Sequence, residues 1–576
     1  MRLKVSRSKN SASLYVTKTV YVDKKEKTIT VEKLGTEKEL REKLNGQDPY
    51  LWAKNYIAAL TKKEKDATAH IFIKRSQSKL IPKGEQVSFN GGYLFLQQLY
   101  HDLKLHQICR SISKRYKFSF SLDSILSRLI YGRILFPASK LNTYQLSKTL
   151  LEQPDFQIQH VYRSLEIIAK ESDLIQAELY KNSLAISKRN DTILYYDCTN
   201  YFFEIEQECG DKQYGPSKEN RPNPIVEMGL FMDGDGIPLA FSIHSGNTNE
   251  QLTLQPLERK ILSDFSLAKF IVCTDAGLSS TDNRKFNDRK DRAFITTQSV
   301  KKLKKHLKQW ALATEGWSVP QIKGTFDISQ IAQCEKTKET YLNTTFYKER
   351  WIKEDGLEQK LIVTFSFKYQ DYQRCIRSRQ IERAHKLIES NPSSLKKHRP
   401  TDCKRFIAKT SVTAEGEIAK NECYSINQEI IANEEAYDGF YAVCTNLEED
   451  APAIIKINHN RWEIEECFRL LKSDFRARPV YLSRDDHIKA HFTTCFLALT
   501  LYRYLEKKVE EKFTSTEIIG QLRTMNFYSV PGEGYVPTYT RTDFTDALHE
   551  AFGFRTDYEI VGTKQMKKIF KSTKSQ

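Results

Sequence analysis

The sequence lacks a long apolar run. Its best candidate, residues 492–505, is shorter than the roughly 18 residues that a membrane-spanning helix needs, and it contains Arg503. The basic, polar residues 1–10 are not followed by the apolar stretch of a secretory signal. We therefore expect a cytoplasmic protein without a membrane span.

Paired cysteine motifs and repeats are also missing. The 11 cysteines are scattered and include no C-x-x-C pair, which is typical of reduced core thiols rather than of disulfides or structural zinc. The absence of internal repeats and low-complexity tracts excludes solenoid and collagen-like folds. Neither a P-loop nor a dinucleotide-binding fingerprint is present, which argues against an ATP-driven or redox enzyme.

Positive charge, by contrast, is in excess. Ninety Lys and Arg residues against 73 Asp and Glu residues give a net charge of +17, with a pI near 9.1. This balance favours a polyanionic partner, and nucleic acid is the leading candidate. The chain has 576 residues, of which 40% are hydrophobic, so it is long enough and apolar enough to form several domains.

The N-terminal third predicts a hairpin followed by helices. Residues 12–35 alternate around the charged turn 23–26, as a small β-hairpin does. Residues 94–188 follow helical periodicity, with an apolar stripe over 122–130 that ends before Pro137. Short helices of this kind suit a helix-turn-helix on DNA, and an ordinary helical bundle with solvated charges is the alternative. The basic residues on their predicted polar faces are Arg133, Lys140, Lys148 and Arg163.

From residue 190 the pattern changes to strands. The predicted order is β-β-β-α-β-α-β, with elements at 192–198, 225–232, 237–244, 249–265, 270–274, 281–290 and 293–297. Residues 300–430 are basic and contain a second strand pair around the turn 354–356, so we expect a β-rich insertion there. Long helices are predicted at 453–475 and 485–511.

Two acidic residues stand where predicted buried strands end. Asp197 closes Tyr195-Tyr196-Asp197, and Asp275 follows Val272-Cys273-Thr274. A carboxylate at such a position must be exposed, paired or bound to a metal, because an isolated buried charge is too costly. Each residue alone is equally compatible with a turn former or a helix cap.

A third acidic candidate lies on the predicted helix at 453–475. At about 100° per residue, Arg461, Glu465 and Lys472 fall on one edge of that helix, beside an apolar stripe. This edge presents a carboxylate between two cations. A surface salt bridge between Arg461 and Glu465 is the simpler interpretation of the same spacing.

Taken together, these stretches resemble the DDE transposases of bacterial insertion sequences, in the branch with a β-rich domain inserted before the catalytic Glu. That family carries an Asp after its first strand, an Asp after its fourth, and a helix with the pattern Y-x2-R-x3-E-x6-K. Arg461, Glu465 and Lys472 match this spacing, whereas Asn458 occupies the Tyr position. Further similar stretches are 214–218 with 221–222, 246–250, 438–439 and 478–481.

The resemblance implies an α/β fold with an RNase H-like catalytic core, interrupted by the insertion and preceded by a mostly helical DNA-binding region. Asp197 and Asp275 are 78 residues apart, but Asp275 and Glu465 are 190 apart, which is too long for a simple connection. The expected regions are 1–60 (hairpin), 61–188 (helical, DNA-binding), 189–300 (core, first part), 301–436 (insertion), 437–515 (core, second part) and 516–576 (C-terminal).

The resemblance also implies a function. Asp197, Asp275 and Glu465 would bind two Mg²⁺ or Mn²⁺ ions and catalyse cleavage of the element ends and joining of their 3′ ends to target DNA. The expected partner is double-stranded DNA, namely terminal inverted repeats and target, bound by a homodimer near the bacterial nucleoid. A non-catalytic or inactive DNA-binding protein, and a nuclease that cuts without joining, are the alternatives.

Other residues are candidates for DNA contact. Arg461 and Lys472 are assigned to phosphates at the DNA end by the resemblance, and Lys218 and Arg221 are expected to act likewise. A base flipped out near the cut would stack on Trp351 or Trp317, and core packing is the alternative for each. His487 and His491 have zinc-binding spacing, but without the Glu of H-E-x-x-H we favour packing or a phosphate contact.

Overall fold

The computed structural model describes residues 1–8, 11–22, 25–44, 47–68, 77–78, 80–390, 402–412 and 418–575. The chain divides into two units. We call Met1–Glu85 with Val530–Glu533 the N-terminal unit, and Gln86–Ser529 with Gly534–Gln576 the main unit. Within the described ranges, each helix is too short or too polar to span a bilayer.

The N-terminal unit contains an antiparallel sheet and two helices: β1 (Arg2–Ser8), β2 (Ser11–Val22), β3 (Lys25–Thr36), α1 (Glu37–Lys43) and α2 (Pro49–Thr68). Leu14 of β2 packs with Leu40 and Ala53 of the helices in a small core. The predicted hairpin is present as β2 and β3, but Asp23 and Lys24 of its turn lie outside the described residues.

The main unit begins with a short strand and six helices: β4 (Ser88–Asn90), α3 (Tyr93–Asp102), α4 (Leu105–Ser113), α5 (Leu122–Leu135), α6 (Lys140–Ser147), α7 (Ile158–Lys170) and α8 (Ser172–Ser183). The helices predicted over 94–188 are therefore present. Helix α5 starts at an N-cap, Ser121, whose side chain accepts a hydrogen bond from the Ser124 amide, and the helix ends before Pro137. The predicted apolar stripe of α5 is buried.

Two of the four basic residues expected on solvent-facing helix surfaces are buried. Arg133 and Lys140 are each 5% exposed. The Arg133 guanidinium donates to two backbone carbonyls at residues 475 and 476, so it is used to join α5 to a distant part of the chain. The prediction that these two side chains face DNA on a polar surface is wrong. Arg163 is exposed and Lys148 is partly exposed.

The next elements of the main unit are β5 (Ile193–Phe202), β6 (Ile225–Asp233), β7 (Pro238–Ser245), α9 (Leu254–Asp264), β8 (Phe270–Thr274), α10 (Thr281–Asn287) and β9 (Arg292–Thr297). They follow the predicted order β-β-β-α-β-α-β. Strands β5, β6 and β7 are antiparallel, whereas β8 is parallel to both β5 and β9. The last residue of β8, Thr274, pairs with Tyr196 in the middle of β5. Strand β5 continues to Phe202, so the prediction that this strand ends at Asp197 is wrong.

The segment 301–436 contains α11 (Lys305–Leu312), β10 (Trp317–Val319), β11 (Ile322–Phe326), α12 (Ile328–Gln333), α13 (Glu335–Thr340), β12 (Phe346–Glu354), β13 (Leu357–Phe365), α14 (Phe367–Ser390), β14 (Ile407–Val412), β15 (Ile418–Ile426) and α15 (Gln428–Glu435). The predicted strand pair is present as β12 and β13. Its turn residues Asp355 and Gly356 both have positive φ, as a tight hairpin turn requires. The 24-residue helix α14 makes the segment mixed α/β rather than β-rich.

One large mixed sheet joins most of these strands. Strand β16 (Phe440–Thr445) pairs with β9 on one side and β13 on the other, which gives the order β11-β10-β12-β13-β16-β9-β8-β5-β6-β7. Strands of the segment 301–436 therefore extend the same sheet that carries Asp197 and Asp275. Strands β14 and β15 form a separate two-stranded sheet.

The helix predicted over 453–475 is interrupted. It consists of α16 (Ala451–His459), α17 (Trp462–Arg469) and a π-helical turn, Leu470–Asp474. At the break, the amides of Arg461 and Glu463 bond to carbonyls three residues back, which replaces the α-helical pattern by tighter turns. The predicted angles among Arg461, Glu465 and Lys472 on one straight helix are therefore wrong.

Helix α18 (Asp485–Lys508) is buried along most of its length and packs against α5 and α7. The remaining elements are α19 (Ser515–Thr524), β17 (Asn526–Val530), β18 (Gly534–Pro537), α20 (Asp543–Phe552), β19 (Val561–Gly562) and α21 (Thr563–Ser572). A four-stranded sheet, β19-β18-β17-β4, joins the C-terminal strands to β4. Among the cysteines with described side chains, none forms a disulfide, and Cys209, Cys334 and Cys375 are exposed rather than in the predicted core.

Candidate active site

Asp197 and Asp275 lie next to each other where the parallel pairing of β5 and β8 ends. Their preceding residues, Tyr196 of β5 and Thr274 of β8, are partners in the parallel register. Burial raises the pKa of Asp197 to about 6; Lys218 opposes this change and the Asp275 carboxylate adds to it. Two neighbouring acids that repel each other in this way form a site with an affinity for cations.

Each of these carboxylates is oriented by backbone amides. Asp197 Oδ1 accepts a hydrogen bond from the Cys198 amide at 2.8 Å. Asp275 Oδ1 accepts from the amides of Gly277 and Leu278 at 2.9 and 3.1 Å. No described residue donates a hydrogen bond to Oδ2 of either Asp. Carboxylate oxygens held in this way are the hard ligands that Mg²⁺ and Mn²⁺ prefer, so the pair fits a divalent cation.

Glu465 lies on α17 and is 61% exposed at its side chain. Its Oε1 is 3.5 Å from Arg461 Nη2, an i,i+4 ion pair of the kind that the sequence also allowed. Burial lowers the pKa of Arg461, but the charges of Asp197, Glu465 and Asp275, together with Tyr441, outweigh it and raise the pKa. Arg461 therefore interacts electrostatically with all three acids.

The three acids do not form a tight cluster in this structure. Among the described residues, the only group of three possible ligand residues whose atoms all lie within 4.8 Å of one another is Glu166, Asp486 and His487. The Arg484 guanidinium binds both carboxylates of that group, at 2.9 and 2.5 Å. The group therefore already has a cation, and it gives no reason to place a metal there.

Lys472 and Lys218 lie close to Asp197. Lys472 Nζ donates to Thr199 Oγ1 at 2.5 Å, two residues beyond Asp197 on β5. Burial lowers the pKa of Lys472 to about 8; Lys218 lowers it further, whereas Asp197 raises it. Lys218 Nζ donates to the Cys198 carbonyl at 2.5 Å. Two ammonium groups thus lie on the side of β5 that carries the candidate acid.

Two further acids surround Lys218. Glu250, which follows β7, is 3.0 Å from Lys218 Nζ. Glu227 of β6 is buried, and burial raises its pKa to about 7, an effect to which Glu250 adds and which Lys218 opposes. Glu227 was missed in the sequence because it sits inside an apolar strand whose pairing partners are not visible from the sequence alone.

The Tyr position of the helix pattern has an unexpected neighbour. Asn458 is buried, and its Nδ2 donates to Tyr441 Oη at 3.2 Å. Tyr441 Oη also shares a hydrogen bond of 2.6 Å with Thr297 Oγ1. Tyr441 comes from β16, 17 residues before Asn458. The contact between Tyr441 and Asn458 was missed because sequence spacing along a helix cannot reveal a side chain that enters from a neighbouring strand.

The remaining DNA-contact candidates differ in exposure. Arg221 is exposed, and its guanidinium lies 4.1 Å from the centre of the Phe202 ring. Trp351 is 45% exposed and can accept a stacked base. Trp317 is fully buried, and its indole donates to the Ala313 carbonyl, so the prediction that it stacks on DNA is wrong.

The two histidines with zinc-binding spacing do not act as a pair. His491 is buried; one ring nitrogen contacts the Ala477 carbonyl at 3.1 Å and the other contacts Lys140 Nζ at 3.3 Å. Both nitrogens are therefore occupied. His487 lies within the group that Arg484 already neutralises. This outcome agrees with the packing role expected for His491.

Comparisons with known proteins identify the family. The family model described as "Transposase DDE domain" matches residues 202–501. This range includes Asp275 and Glu465 and begins five residues after Asp197. No curated protein matches the chain.

Two solved transposase structures are similar at low identity. The piggyBac transposase synaptic complex with hairpin DNA is 8% identical over 75% of this chain and 78% of that chain, with a TM-score of 0.35. The Mos1 transposase paired-end complex with left transposon end is 12% identical over 40% of this chain and 64% of that chain, with a TM-score of 0.13. Because the family model covers more than half of the chain, the protein belongs to the transposase DDE domain family and is a DNA transposase.

Proposed function

We propose that Asp197, Asp275 and Glu465 are the catalytic carboxylates of this transposase. The observation that carries the proposal is the adjacency of Asp197 and Asp275 on parallel strands within a chain of this family. Glu465 is the third acid because it shares Arg461 with that pair. Family membership implies metal-dependent DNA cleavage and transfer, and these residues are our assignment of that activity.

The strand order supports an RNase H-like core for this site. Strands β7-β6-β5-β8-β9 form three antiparallel strands followed by two parallel ones, with one acid within the first strand and one after the fourth. We assign residues 189–300 and 437–515 to the core and 301–436 to an insertion that extends the sheet. Residues 61–188 are assigned to DNA binding.

We propose that these acids hold two divalent cations, Mg²⁺ or Mn²⁺. Asp197, Asp275 and Glu465 would supply the carboxylate ligands. Such ions activate an attacking oxygen and stabilise a leaving oxygen in an in-line phosphoryl transfer. Carboxylate-only ligands fit hard cations of this type, and the repulsion between Asp197 and Asp275 is relieved when a cation binds.

Arg461 provides a reason for Glu465 to change partner when DNA binds. Its Nε is buried and has no hydrogen-bond acceptor among the described residues. A guanidinium binds a phosphate with paired hydrogen bonds, and a DNA phosphate can therefore replace Glu465 as the partner of Arg461. Glu465 is exposed enough to move, and its carboxylate becomes free to join the two aspartates.

The cationic side chains then position the DNA end. We assign Arg461, Lys472, Lys218 and Arg221 to phosphates beside the scissile bond, since contacts of this kind fix register and neutralise charge. The ammonium of Lys472 is held by Thr199, close to Asp197. Trp351 is our candidate for stacking on an unpaired base.

The proposed reaction consists of two phosphoryl transfers. In the first, a water oxygen bonds to the phosphorus at the element end, the bond between phosphorus and the 3′ oxygen breaks, and the 3′ oxygen leaves as a hydroxyl. In the second, that hydroxyl attacks a target phosphodiester, and the displaced target 3′ oxygen takes up the proton. No covalent protein intermediate is needed. A homodimer that holds two ends, in the bacterial cytoplasm, is part of the proposal.

The test uses DNA that carries the sequences flanking the coding region, together with a target plasmid. Asp197→Asn, Asp275→Asn and Glu465→Gln are expected to retain DNA binding but to lose Mg²⁺-dependent cleavage by 10³-fold or more, the order seen when a transition-state contact is removed. Asp282→Asn, which alters an exposed acid on α10, and Glu466→Gln, which alters a partly buried acid on α17, serve as matched controls.

Two results would contradict the proposal. Cleavage that survives all three substitutions would remove the assigned acids from the chemistry. Cleavage without joined products in the presence of target plasmid would indicate a nuclease rather than a transposase that uses this site.

A further inference from the structure

A basic pocket lies beside the buried lysine of the helical region. Its volume is about 330 Å³, and it is lined by the α5–α6 connection, α7, residues 476–482 and α18. Its charged lining residues are Arg133, Lys140, Arg476 and Arg478, and none of the described residues that line it is Asp or Glu. Of these four cationic residues, Arg478 is paired with Glu219, and the other three form no ion pair with a described carboxylate. Such a cavity is suited to an anion.

Among these residues, Lys140 gives the strongest indication that the pocket binds an anion. It is 5% exposed and forms no ion pair with a described carboxylate. Its Nζ contacts Nδ1 of His491 at 3.3 Å, and the other His491 nitrogen contacts the Ala477 carbonyl at 3.1 Å. His491 therefore carries its proton on the nitrogen that faces the carbonyl and accepts from Lys140. This leaves Lys140 with two N–H donors and no counterion.

A buried ammonium without a counterion is costly, because desolvation is not repaid by an opposite charge. Arg133 increases that cost, since its guanidinium lies near Lys140 and is itself 5% exposed. The Arg133 guanidinium donates to the backbone carbonyls of residues 475, 476 and 138. It therefore contributes positive potential to the pocket rather than a direct hydrogen bond to an anion. An anion that enters the pocket supplies the missing charge.

Two tyrosines add a surface for a planar group. Tyr162 of α7 is 39% exposed and Tyr481 is 71% exposed, and both line the pocket. Exposed aromatic rings beside cations are the combination on which nucleotides bind, because the ring stacks on the base while the cations bind the phosphate. The volume is sufficient for one nucleotide, at the lower end of the range for ligand pockets.

The pocket is connected to the candidate active site. Arg478 forms an ion pair with Glu219, the residue after Lys218. Tyr201 interacts electrostatically with Arg478, and Lys472 Nζ lies 5.7 Å from the centre of the Tyr201 ring. The buried Tyr201 side chain therefore lies between Lys472 of the candidate site and Arg478 of the pocket.

We propose that this pocket binds one nucleotide, with its phosphate at Lys140, Arg476 and Arg478 and its base against Tyr162 or Tyr481. The nucleotide comes from bound DNA, as an unpaired residue turned out of the duplex, or from free nucleotide in solution. The DNA source rests on the proposed function, whereas the chemistry of the pocket does not.

The test compares wild-type protein with Lys140→Met and Tyr481→Ala, in EDTA so that no cleavage occurs. Lys114→Met, which changes an exposed lysine outside the pocket, is the matched control. One arm titrates the DNA-free protein with dTMP and with thymidine by calorimetry. The other measures binding of a duplex with one unpaired thymidine and of the same duplex fully paired. Thermal unfolding of each variant shows that it is folded.

We expect one of two supporting results. If free nucleotide is the source, dTMP binds to the wild type and thymidine does not. Lys140→Met then lowers the affinity for dTMP at least tenfold, as expected for loss of a charge-assisted hydrogen bond. If DNA is the source, the wild type prefers the duplex with the unpaired thymidine, and both pocket variants lose that preference while binding the paired duplex normally.

The proposal is overturned if the wild type shows neither dTMP binding nor a preference for the unpaired thymidine. It is also overturned if folded Lys140→Met and Tyr481→Ala behave like Lys114→Met in both arms. Failure of the proposed function gives a different result, since DNA cleavage would then be insensitive to the three acids whatever the pocket binds.

Discussion

Asn458 Nδ2 donates a hydrogen bond of 3.2 Å to the hydroxyl of Tyr441, which joins the end of α16 to β16. This places a tyrosine beside Arg461 although the helix itself carries asparagine at the Tyr position of the family pattern. The phenol raises the pKa of Arg461 together with the three acids, so it belongs to the electrostatic environment of the site. The hydroxyl group near Arg461 thus belongs to Tyr441 of the neighbouring strand β16 and not to a residue of the helix.

From this contact we predict that Tyr441→Phe lowers end cleavage by about tenfold, because loss of one hydrogen bond to a group that positions a charged residue costs about 1 kcal/mol or more. Asn458→Ser should have a similar effect. The double variant should lose less than the sum of the two single variants, since each of them removes the hydrogen bond between Asn458 and Tyr441. Single-turnover cleavage measures the effect, and Tyr437→Phe is the control. Fully additive losses would contradict the coupling.

The ion pair between Arg461 and Glu465 gives a second prediction. Glu465→Gln removes the charge that holds the Arg461 guanidinium at 3.5 Å, so Arg461 becomes more available to a DNA phosphate. We expect unchanged or severalfold tighter binding of end DNA, together with loss of cleavage. Arg461→Gln should weaken binding and reduce the slope of log affinity against log salt by about one. Filter binding at several salt concentrations distinguishes the two variants, and weaker binding by Glu465→Gln would contradict this account.

The sequence predicted the strand order and the position of Asp275 after β8 well, because both depend on short apolar strands with a clear period. It placed Asp197 at the end of its strand, whereas β5 continues to Phe202. It predicted the geometry around Glu465 poorly. Angles counted along an unbroken helix take no account of the tight turns at Arg461 or of the π-helical turn that carries Lys472. Such departures depend on tertiary contacts, which the local pattern does not encode.

The sequence also did not predict which charged side chains are buried. Arg133 and Lys140 occupy helix positions that periodicity assigns to a polar face, yet neighbouring helices and residues 475–482 cover both. The same limit applies to Trp317 and Trp351, which the sequence offers as equal candidates, although Trp317 is buried and Trp351 is exposed. Only the packing of separate segments decides which of these side chains can meet DNA.

The exposed indole of Trp351 gives a third prediction. Stacking of a base on an aromatic ring contributes about 1–3 kcal/mol, so Trp351→Ala should lower cleavage of end DNA roughly tenfold or more, whereas Trp351→Phe should retain most of it. A 2-aminopurine near the cut reports stacking through its fluorescence. Tyr372→Ala, an aromatic of 60% exposure in the same segment, is the control. Equal fluorescence in wild type and Trp351→Ala would remove Trp351 from the site.

The buried ammonium of Lys140 makes stability depend on pH in a direction that can be calculated. Burial lowers the pKa of Lys140 from 10.5 to about 7, and the positive charge of Arg133 adds to the effect, whereas Cys495 opposes it. Between these two values the unfolded chain binds a proton that the folded chain does not, so stability rises with pH, by up to roughly 1.4 kcal/mol per unit. Below pH 7 both states are protonated and the full penalty is present.

Lys140→Met removes that penalty while keeping the side-chain length, at a cost of about 1 kcal/mol for the hydrogen bond that His491 loses. We therefore expect the variant to be more stable than the wild type at pH 6–7, and the difference to shrink steadily as the pH approaches 10.5. Urea unfolding in a chloride buffer without phosphate measures this difference, because an anion bound in the pocket would stabilise the wild type. A difference that is constant from pH 6 to 10 would show that Lys140 keeps its charge throughout that range.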